Sequence, residues 1–265
     1  MLEPTHPLSM FVQGFLGQAG AYFAIVGLLF LVVWKWGETR FRGARIQAKK
    51  RVDGKQLAFE VRHTLVTLLV GTGNAVAISL LFANGTTRLT LDATEIGWPT
   101  IVATTMGLLV FNDAWFYAWH RLLHRPWFFR HVHAVHHKSV DVNPFSSYSF
   151  HFAEAFLLGG WVLPVILLVP MYLPMLGVLQ GIGLANNVMS HLGYEFLPRW
   201  LLRVPLLRWM NTSTFHNLHH TSLRGNYGLM FRWWDRWLGT EVPNYEATFV
   251  ARGTVGQPEI STSRS

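Results

Sequence analysis

The chain has 265 residues, of which 51% are hydrophobic and only 14% are charged, whereas charged residues make up about 25% of a typical globular protein. So few charges cannot cover a solvated surface, which excludes an ordinary soluble domain and predicts that much of the chain faces lipid. The absence of cysteine excludes disulfides, thiolate metal ligands and iron–sulfur clusters. The net charge of +8 is compatible with nucleic-acid binding or with an anionic membrane surface.

Four apolar stretches are long enough to cross or deeply enter a bilayer, which requires roughly 20 residues per helix. They are approximately residues 11–34, 64–82, 98–119 and 152–188. The last stretch is too long for one span and contains Pro164, Pro170 and Pro174, which end or kink helices. We expect it to form a two-helix hairpin, with a bent re-entrant pair as the alternative. The predicted fold is all-α and polytopic, with about four transmembrane helices.

If these stretches cross the membrane in turn, almost all basic residues lie on one side of it. Nine of the 22 Lys and Arg residues fall between Lys35 and Arg62, and only Arg88 falls in the loop 84–97 between the second and third spans. In total, 21 of the 22 share one side, and Lys and Arg mark the cytoplasmic side of a membrane protein. We therefore expect this side, with the C-terminus, to be cytoplasmic. A basic face on lipid headgroups is favoured over a nucleic-acid site.

Histidine is the compositional anomaly, because 11 of the 13 His residues lie between positions 120 and 220. Three short runs contain most of them, one of the form H-x3-H and two of the form H-x2-H-H. Side chains three and four residues apart share a helix face, so each run presents imidazoles in one direction. Neutral imidazole binds iron, zinc and copper. The runs therefore predict a metal site rather than a chance pattern or a pH-sensing patch. Its candidate ligands are His120, His124, His133, His136, His137, His216, His219 and His220.

These eight imidazoles are too many for one metal ion, whereas two metals with four or five ligands each use them all. Zinc alone favours four-coordinate sites, and a catalytic zinc usually has three protein ligands. The number of ligands therefore favours a redox-capable, two-metal site with an open position for oxygen. Because the runs follow apolar spans at the same predicted membrane face, we expect them to form one His-rich helical cap on the cytoplasmic side.

Other polar residues recur around these runs in a fixed order and spacing. The motifs are Asp113-x3-Tyr117-x2-His120-Arg121-x2-His124, Arg130-x2-His133-x2-His136-His137, Ser147-x3-His151-x2-Glu154, Asn187-x3-His191-x-Gly193, His216-x2-His219-His220, Asn226-Tyr227-Gly228 and Trp234-Asp235-x3-Gly239-Thr240. Over approximately residues 100–240 this pattern resembles the fatty acid hydroxylase superfamily. That superfamily of integral-membrane enzymes includes sterol desaturases, sterol methyl oxidases, sphingolipid hydroxylases and alkylglycerol monooxygenase.

The resemblance implies a centre with two non-haem irons, dioxygen as co-substrate and a lipid C–H bond as the target. Zinc is an expected substitute for iron in purified protein. The resemblance adds His191 to the metal ligands and Asn187 to the catalytic residues. Some members have His where this chain has Asn187, so the second metal is expected to have one imidazole fewer. We expect His151 to pair with Glu154 rather than to bind metal, and His131 to lie on the surface.

Asp113 lies in the third apolar stretch, two helical turns before His120. An acid inside a span is costly and indicates function. We expect it to accept an imidazole N–H and so fix the orientation of that ligand, with an ion pair to an Arg as the alternative. Glu154 and Asp235 are expected to play the same part. Tyr117 either lines the metal pocket or is an interfacial aromatic residue. Asp113, Tyr117 and Glu154 are therefore further candidates for catalytic residues.

The predicted function is dioxygen-dependent hydroxylation of an acyl chain, long-chain base or sterol-like lipid taken from the membrane. The chain contains no flavin, haem or ferredoxin segment and no dinucleotide fingerprint. Electrons are therefore expected from a separate electron-transfer protein and its NAD(P)H-dependent reductase. Desaturation by the same site is the main competing function, since both reactions begin by removing hydrogen from an unactivated carbon. Zinc-dependent hydrolysis of a lipid and transport of a metal ion are two further candidate functions.

These assignments divide the chain into three regions. Residues 1–97 are expected to form an N-terminal membrane region with a basic cytoplasmic loop, and residues 98–245 the catalytic domain with two metals. Residues 246–265 are expected to form a disordered tail. The Arg- and Trp-rich composition, without a fused cytochrome domain, favours a bacterial inner membrane over the endoplasmic reticulum.

Overall fold

The computed structural model describes residues 6–47 and 52–252 and is mostly helical, which confirms the predicted all-α class. The helices are α1 (Pro7–Leu29, continued as a π-helix over Phe30–Trp36), α2 (Gly54–Ala83), α3 (Trp98–Leu123), α4 (Pro126–Phe128), α5 (Ala134–His137), α6 (Phe152–Gly159), α7 (Val162–Leu168), α8 (Leu173–Ser190), α9 (Ser213–Ser222), α10 (Trp233–Trp237) and α11 (Tyr245–Arg252). A second π-helix, Phe129–His133, joins α4 to α5. Short 3-10 helices cover Arg42–Ala44, Pro144–Tyr148, Arg199–Arg203 and Leu207–Trp209. Two short strands, β1 (Leu89–Thr90) and β2 (Met171–Tyr172), pair in parallel.

Within residues 6–47 and 52–252, three helices are long and apolar enough to cross a membrane: Pro7–Trp36, Gly54–Ala83 and Trp98–Leu123. Only 11% to 22% of the most apolar part of each is buried within the protein, so most of these apolar side chains face outward, as in an integral membrane protein. Each helix is longer than the stretch predicted from hydropathy, because polar turns extend it. At the start of α2, for example, Oδ1 of Asp53 accepts from the backbone N–H of Gln56 at 2.8 Å and caps a polar first turn.

The fourth apolar stretch folds into three helices, α6, α7 and α8, and not into the expected two. The chain turns near Gly160 between α6 and α7, and again at residues 169–172 between α7 and α8. Of the three prolines only Pro170 lies in a turn. Pro164 and Pro174 occupy the first turns of α7 and α8, where a missing N–H costs no hydrogen bond. The prolines therefore predicted correctly that the stretch is not one helix, but they did not predict the positions of both breaks.

The largest apolar core packs α7 and α8 against α3, the third long helix. Leu89 of β1 pairs with Met171 of β2, which joins the loop after α2 to the turn before α8. Both side chains are buried together with Trp161 and Ile166, at the start of α7 and within it, and with Leu108 of α3. Between helices in a membrane, such side chains stabilise the fold by close van der Waals packing and not by transfer out of water. The core therefore fixes α7 and α8 against α3, whose C-terminal end carries the first His run.

The C-terminal segment is ordered further than the sequence predicts. Helix α11 lies inside the region 246–265, so the expected disorder is wrong for residues 246–252. Tyr245 and Phe249 are fully buried against Phe215 of α9, because the apolar side of an otherwise polar helix packs onto the cap. Residues 253–265 lie outside the described residues.

Candidate metal centre

The three His runs and His191 meet at one end of the long helices. His120 lies in the last turn of α3 and His124 is its C-terminal cap residue, while His191 caps the C-terminus of α8. The second run occupies the π-helix before α5 and α5 itself, and the third run occupies α9. The expected His-rich helical cap is thus present. It brings nine imidazoles into two groups, and every ring except that of His124 is buried.

The first group, the five-His cluster, contains five imidazoles whose ligand nitrogens all lie within 4.8 Å of one another. The Nε2 atoms of His133 and His124 are 3.0 Å apart, and those of His219 and His137 are 3.1 Å apart. The members are His120, His124, His133, His137 and His219.

The second group, the four-His cluster, has the same compactness with one imidazole fewer. The Nε2 atoms of His216 and His191 are 3.0 Å apart, and those of His191 and His136 are 3.3 Å apart. The members are His136, His191, His216 and His220. Asn187 is not among them, so no side chain at that position adds a fifth ligand to this cluster.

Each H-x2-H-H run contributes to both clusters. Side chains four residues apart lie on nearly the same side of a helix. His133 and His137 therefore both enter the five-His cluster, and His216 and His220 both enter the four-His cluster. The remaining member of each run projects into the other cluster. The clusters consequently lie side by side, with the ring centroids of His137 and His220 only 4.6 Å apart.

Hydrogen bonds at Nδ1 determine which nitrogen carries a free lone pair in five of the nine rings. Nδ1 of His120 lies 2.8 Å from the backbone carbonyl oxygen of Tyr227, and Nδ1 of His219 lies 2.8 Å from that of Gly225. A carbonyl oxygen only accepts, so Nδ1 carries the proton and Nε2 does not. Nε2 of His120 lies 3.2 Å from Nε2 of His133, whose Nδ1 is also bonded to an acceptor. Two lone pairs this close repel one another unless a cation lies between them, so this pair fits a bound metal ion.

Two further rings are held in the same way. Nδ1 of His133 donates to Oε1 of Glu154 at 2.7 Å, and Nδ1 of His191 donates to the backbone oxygen of Asn187 at 2.9 Å. Glu154 is fully buried, and a carboxylate at this position fixes the ring and raises its basicity as a ligand. Glu154 thus makes the imidazole contact that the sequence leads us to expect of it.

Burial keeps the imidazoles neutral. It lowers the pKa of His191 and of His219 to about 4, and it lowers the pKa of His124 to about 2. For His137 and His220, burial lowers the pKa well below its usual value, and neighbouring imidazoles lower it further because like charges repel. At neutral pH these rings are uncharged and can bind a metal through Nε2 without first losing a proton.

Asp113 is buried, but it contacts no imidazole among the described residues. Its Oδ1 accepts from the backbone N–H of Met230 at 2.7 Å, and its Oδ2 accepts from Nε1 of Trp234 at 2.9 Å. This face of α3 packs against the segment after α9 and not against a His run. The expected imidazole contact is therefore wrong for this residue, and no Arg of the described chain replaces it. Asp113 instead anchors the segment whose Tyr227 carbonyl orients His120.

Asp113→Asn is expected to destabilise the protein without removing a metal ligand. An amide nitrogen would face N–H donors, so at least one buried donor would lose its acceptor, which costs about 1–3 kcal/mol. Thermal unfolding of the metal-loaded protein measures this loss. Asp92→Asn, at an exposed position before α3, is the control and should change stability little. Unchanged stability of Asp113→Asn would contradict the anchoring role.

Asp235 and Tyr117 belong to a hydrogen-bond network that holds the loop around Tyr227. The carboxylate of Asp235 accepts from the backbone N–H groups of Tyr227 and Gly228 at 2.8 and 2.7 Å, and from Oγ1 of Thr240 at 2.6 Å. The buried Tyr117 hydroxyl lies 2.9 Å from that same Oγ1, and because Thr240 donates to the carboxylate, Tyr117 is the donor to Thr240. Neither residue hydrogen-bonds to an imidazole. They position the carbonyl that orients a ligand, and the burial of Tyr117 excludes an interfacial role.

Asn187 and His151 lie beside the centre without joining either cluster. Nδ2 of Asn187 donates to the backbone oxygen of Ser147 at 2.7 Å, so its side chain supports a loop while its own carbonyl orients His191. His151 is the N-terminal cap of α6, and its Nδ1 accepts from the backbone N–H of Ala153 at 3.3 Å. The expected hydrogen bond from His151 to the carboxylate three residues later does not form within the described structure.

Sequence reasoning missed the backbone carbonyls that orient the five-His cluster. Those of Leu223, Gly225 and Tyr227 belong to the loop after α9 and accept from three of the five rings. The loop has left-handed backbone at Leu223 (φ 57°), Gly225 (φ 82°) and Asn226 (φ 55°). A Cβ atom at Gly225 would lie 2.3 Å from the carbonyl oxygen of Thr240, so only glycine fits there. The Asn226-Tyr227-Gly228 motif marks this loop, but a motif does not reveal a carbonyl contact.

A second missed group ties the loop after α5 to the first two helices. Glu60 of α2 is fully buried, and Nδ2 of Asn143 lies 3.1 and 2.9 Å from its two carboxylate oxygens. The hydroxyl of Tyr22 in α1 lies 2.8 Å from Oγ of Ser147. This loop connects the second His run to the helix that carries Glu154. These contacts therefore help to set the distance between ligands and their supporting carboxylate.

A small cavity lies between the two clusters. Its volume of about 10 Å³ is on the scale of a single water molecule. Imidazoles of both clusters form part of its wall, together with polar side chains and three apolar ones. The apolar lining residues are Phe116, Phe150 and Leu229, and the polar ones outside the clusters are Glu154, Asn187, Ser190 and Asn211.

Comparison with known proteins gives matches over the same region. The family model described as fatty acid hydroxylase matches residues 105–240, which confirms the resemblance inferred from the motifs. Methylsterol monooxygenase 1 of Gallus gallus is 31% identical over 144 residues, which cover 54% of this chain and 48% of that protein. Delta(7)-sterol 5(6)-desaturase of Gibberella zeae is 28% identical over 194 residues, covering 73% and 56%. Very-long-chain aldehyde decarbonylase GL1-7 of Oryza sativa is 34% identical over 140 residues, covering 49% and 21%.

The matched region is therefore about half the length of the first two relatives and about a fifth of the third. No solved structure matches the chain.

Proposed function

Because the chain belongs to the fatty acid hydroxylase family, we propose that it is a membrane-bound, non-haem di-iron enzyme that uses dioxygen to hydroxylate an unactivated C–H bond of a lipid. The observation that carries this proposal is the pair of adjacent clusters, in which five and four imidazole nitrogens converge. We propose residues 98–245 as the catalytic region, because they contain the segment 105–240 that matches the family.

Each cluster suits one metal ion, and the four-His cluster leaves more coordination positions open than the five-His cluster. When bound there, two irons would supply the redox and oxygen chemistry that side chains lack. Zinc is expected to replace iron where iron is scarce, because availability and geometry set occupancy. A single-zinc hydrolase needs about three protein ligands, so nine imidazoles in two clusters argue against a hydrolase.

The chain's own residues would hold the reacting carbon and exclude water. The ring centroid of Phe116 is 5.0 Å from that of His120, and the ring centroid of Phe150 is 4.9 Å from that of His136. An apolar ring of the cavity wall therefore packs against one imidazole of each cluster, and Leu229 adds a third apolar side chain to that wall. A methyl or methylene group packed against this wall is oriented for reaction, and bulk water is kept from the metals.

We propose a sterol-like or acyl lipid as the substrate. Two of the matched relatives are named for sterols and one for very-long-chain aldehydes, and three candidate spans hold the cap at the membrane. We propose that electrons arrive from a separate electron-transfer protein and its NAD(P)H-dependent reductase, because imidazole clusters can hold metal ions but supply no electrons.

Comparative lipidomics under isotopically labelled dioxygen tests this function. Cells that express the chain should accumulate a lipid that carries one labelled oxygen atom, and cells that express His136→Ala should not. Desaturation is the second candidate, because a named sterol desaturase is among the relatives, and it would remove two hydrogens without adding label. Hydrolysis of a lipid in the absence of oxygen, or no changed lipid at all, would overturn the proposal.

We propose that both clusters face the cytoplasm of a bacterial cell, since 21 of the 22 basic residues lie on that side of the threading. The native chain has no cysteine, so single cysteines can be labelled selectively. Arg42, Glu95 and Lys138 are exposed, and an impermeant thiol reagent should label only Glu95→Cys in intact cells. Labelling of Lys138→Cys from outside would place the clusters on the opposite side.

A further inference from the structure

Two segments of the cap carry a concentration of tryptophan outside the candidate spans. They are residues 203–210, which lie between α8 and α9, and residues 231–238, which contain α10. An antiparallel bridge between Met210 and Phe231 joins the two segments. We call the joined face the Trp surface, because it contains four of the 12 tryptophans of the chain: Trp209, Trp233, Trp234 and Trp237.

The Trp surface exposes apolar side chains in both of its segments. Leu206 is 84% exposed in the first segment, and Trp237 and Leu238 are 64% and 51% exposed in the second. Single exposed apolar residues are ordinary on a protein surface, whereas a group of them marks contact with lipid or with another protein. The exposure in two joined segments therefore indicates one partner that both segments contact.

The exposed charges of the Trp surface are basic. Arg203 and Arg208 are exposed, and the guanidinium carbon of Arg208 lies 4.9 Å from the ring centre of Trp209. Nη1 of Arg236 lies 3.3 Å from Oε1 of Glu246, so this third cation is already paired. Exposed Trp and Leu beside Arg are typical of segments that lie in the interface of a bilayer, where Trp is enriched and Arg is attracted to anionic headgroups.

Contacts with α3 place the Trp surface at the level of lipid. Nε1 of Trp234 donates to Oδ2 of Asp113 at 2.9 Å. A helix rises about 1.5 Å per residue, so Asp113 lies roughly 15 Å before the end of α3 at Leu123. Close to Asp113 along α3, Val110 and Phe111 are apolar and exposed, as is typical of lipid-facing residues. The Trp surface therefore lies beside the part of α3 that a bilayer would surround, and not beyond the end of the helix.

We propose that the Trp surface is a membrane-contact surface, which lies in the interface of the leaflet nearest the metal centre without crossing the bilayer. Leu206, Trp237 and Leu238 enter the boundary between headgroups and acyl chains, while Arg203 and Arg208 meet lipid phosphates. The cap is then held against the bilayer at a second place, besides the helices that cross it. This role needs neither bound metal nor turnover, so it does not depend on the proposed function.

Spin labels at single cysteines test the depth of the Trp surface. The native chain has no cysteine, so Leu206→Cys and Leu238→Cys can each be labelled in the full-length protein reconstituted in lipid nanodiscs. Both replaced side chains are more than half exposed, so neither substitution removes a buried contact. Collisions of the label with dioxygen, which dissolves in acyl chains, and with a water-soluble nickel complex report how deep each label lies.

Met106→Cys and Leu223→Cys are the reference positions for lipid and for water. Met106 is an exposed residue of α3 inside a candidate span. Leu223 is an exposed leucine of the cap like Leu206, but its backbone oxygen lies 3.1 Å from Nδ1 of His124, at the C-terminal end of α3. We expect the ratio of dioxygen to nickel collisions at residues 206 and 238 to shift towards that at residue 106, and the ratio at residue 223 to remain low.

Three results would overturn the proposal. Ratios at residues 206 and 238 as low as that at residue 223 would show that the Trp surface faces water. A shift at only one of the two positions would contradict a single surface that contacts lipid through both segments. Labels shielded from both reagents, with spin–spin broadening that disappears on dilution with unlabelled protein, would identify a second copy of the chain as the partner in place of lipid.

Discussion

His220→Ala should abolish activity and remove the metal of the four-His cluster. The Nε2 atom of His220 lies 3.1 Å from those of His136 and His216, so its loss leaves that metal with three imidazoles. His219→Ala takes a ligand from the five-His cluster, which keeps four, and should therefore lose less metal while also losing activity. Elemental analysis of the purified variants, with the aerobic lipid assay beside it, measures both effects.

His131→Ala is the matched control for these variants. His131 lies within the same stretch of sequence as the second run, but its ring is exposed and its Nδ1 pairs with the backbone oxygen of Trp127 at 2.8 Å. Metal content and activity should stay near the values of the parent protein. Equal damage in His131→Ala and His220→Ala would show that the division into two clusters is wrong.

Gly225→Ala should destabilise the protein strongly and loosen the five-His cluster. A left-handed backbone costs a residue with a Cβ atom about 1–2 kcal/mol, and overpacking adds about 1–3 kcal/mol. Both penalties apply at Gly225, because φ is 82° and a Cβ would lie 2.3 Å from the carbonyl oxygen of Thr240. Relief of the clash would displace the Gly225 carbonyl that orients His219. Unfolding in denaturant and metal content after purification measure the two consequences.

Gly239→Ala separates the backbone penalty from the clash. Gly239 also has a left-handed backbone, with φ of 67°, but a Cβ there meets nothing within 4 Å. We expect it to lose only the backbone contribution of about 1–2 kcal/mol and to keep both metals. Similar losses in the two variants would contradict the role of close packing at Gly225.

The sequence predicted the helical class, the membrane character and the cap, because these depend on local periodicity. Runs of apolar residues of sufficient length identify spans whatever they pack against, and imidazoles four residues apart must share a side of a helix. The grouping of the candidate ligands followed from the same periodicity, since the members of each run that lie four residues apart, such as His133 and His137, enter the same cluster.

Contacts between distant segments were not accessible from the sequence. Asp113 was expected to hold an imidazole, but the partner of a buried acid depends on which element packs on its side of α3, and that element is the segment around Met230. Glu60 and Asn143 are 83 positions apart, and nothing in the local pattern of either marks their pairing. The break between α6 and α7 lies near Gly160 and not at a proline, so the prolines do not predict it.

The number of metal ions per folded chain tests the two-metal centre most directly. Elemental analysis of the full-length protein, purified from iron-supplemented cells without chelator, should give two metal ions per chain, with iron in the active form. Because metals bound only by the folded state stabilise it, stripping them with a chelator should also lower the unfolding temperature, and returning iron should restore it. One metal ion per chain, or none, in folded and active protein would contradict the existence of two metal-binding clusters.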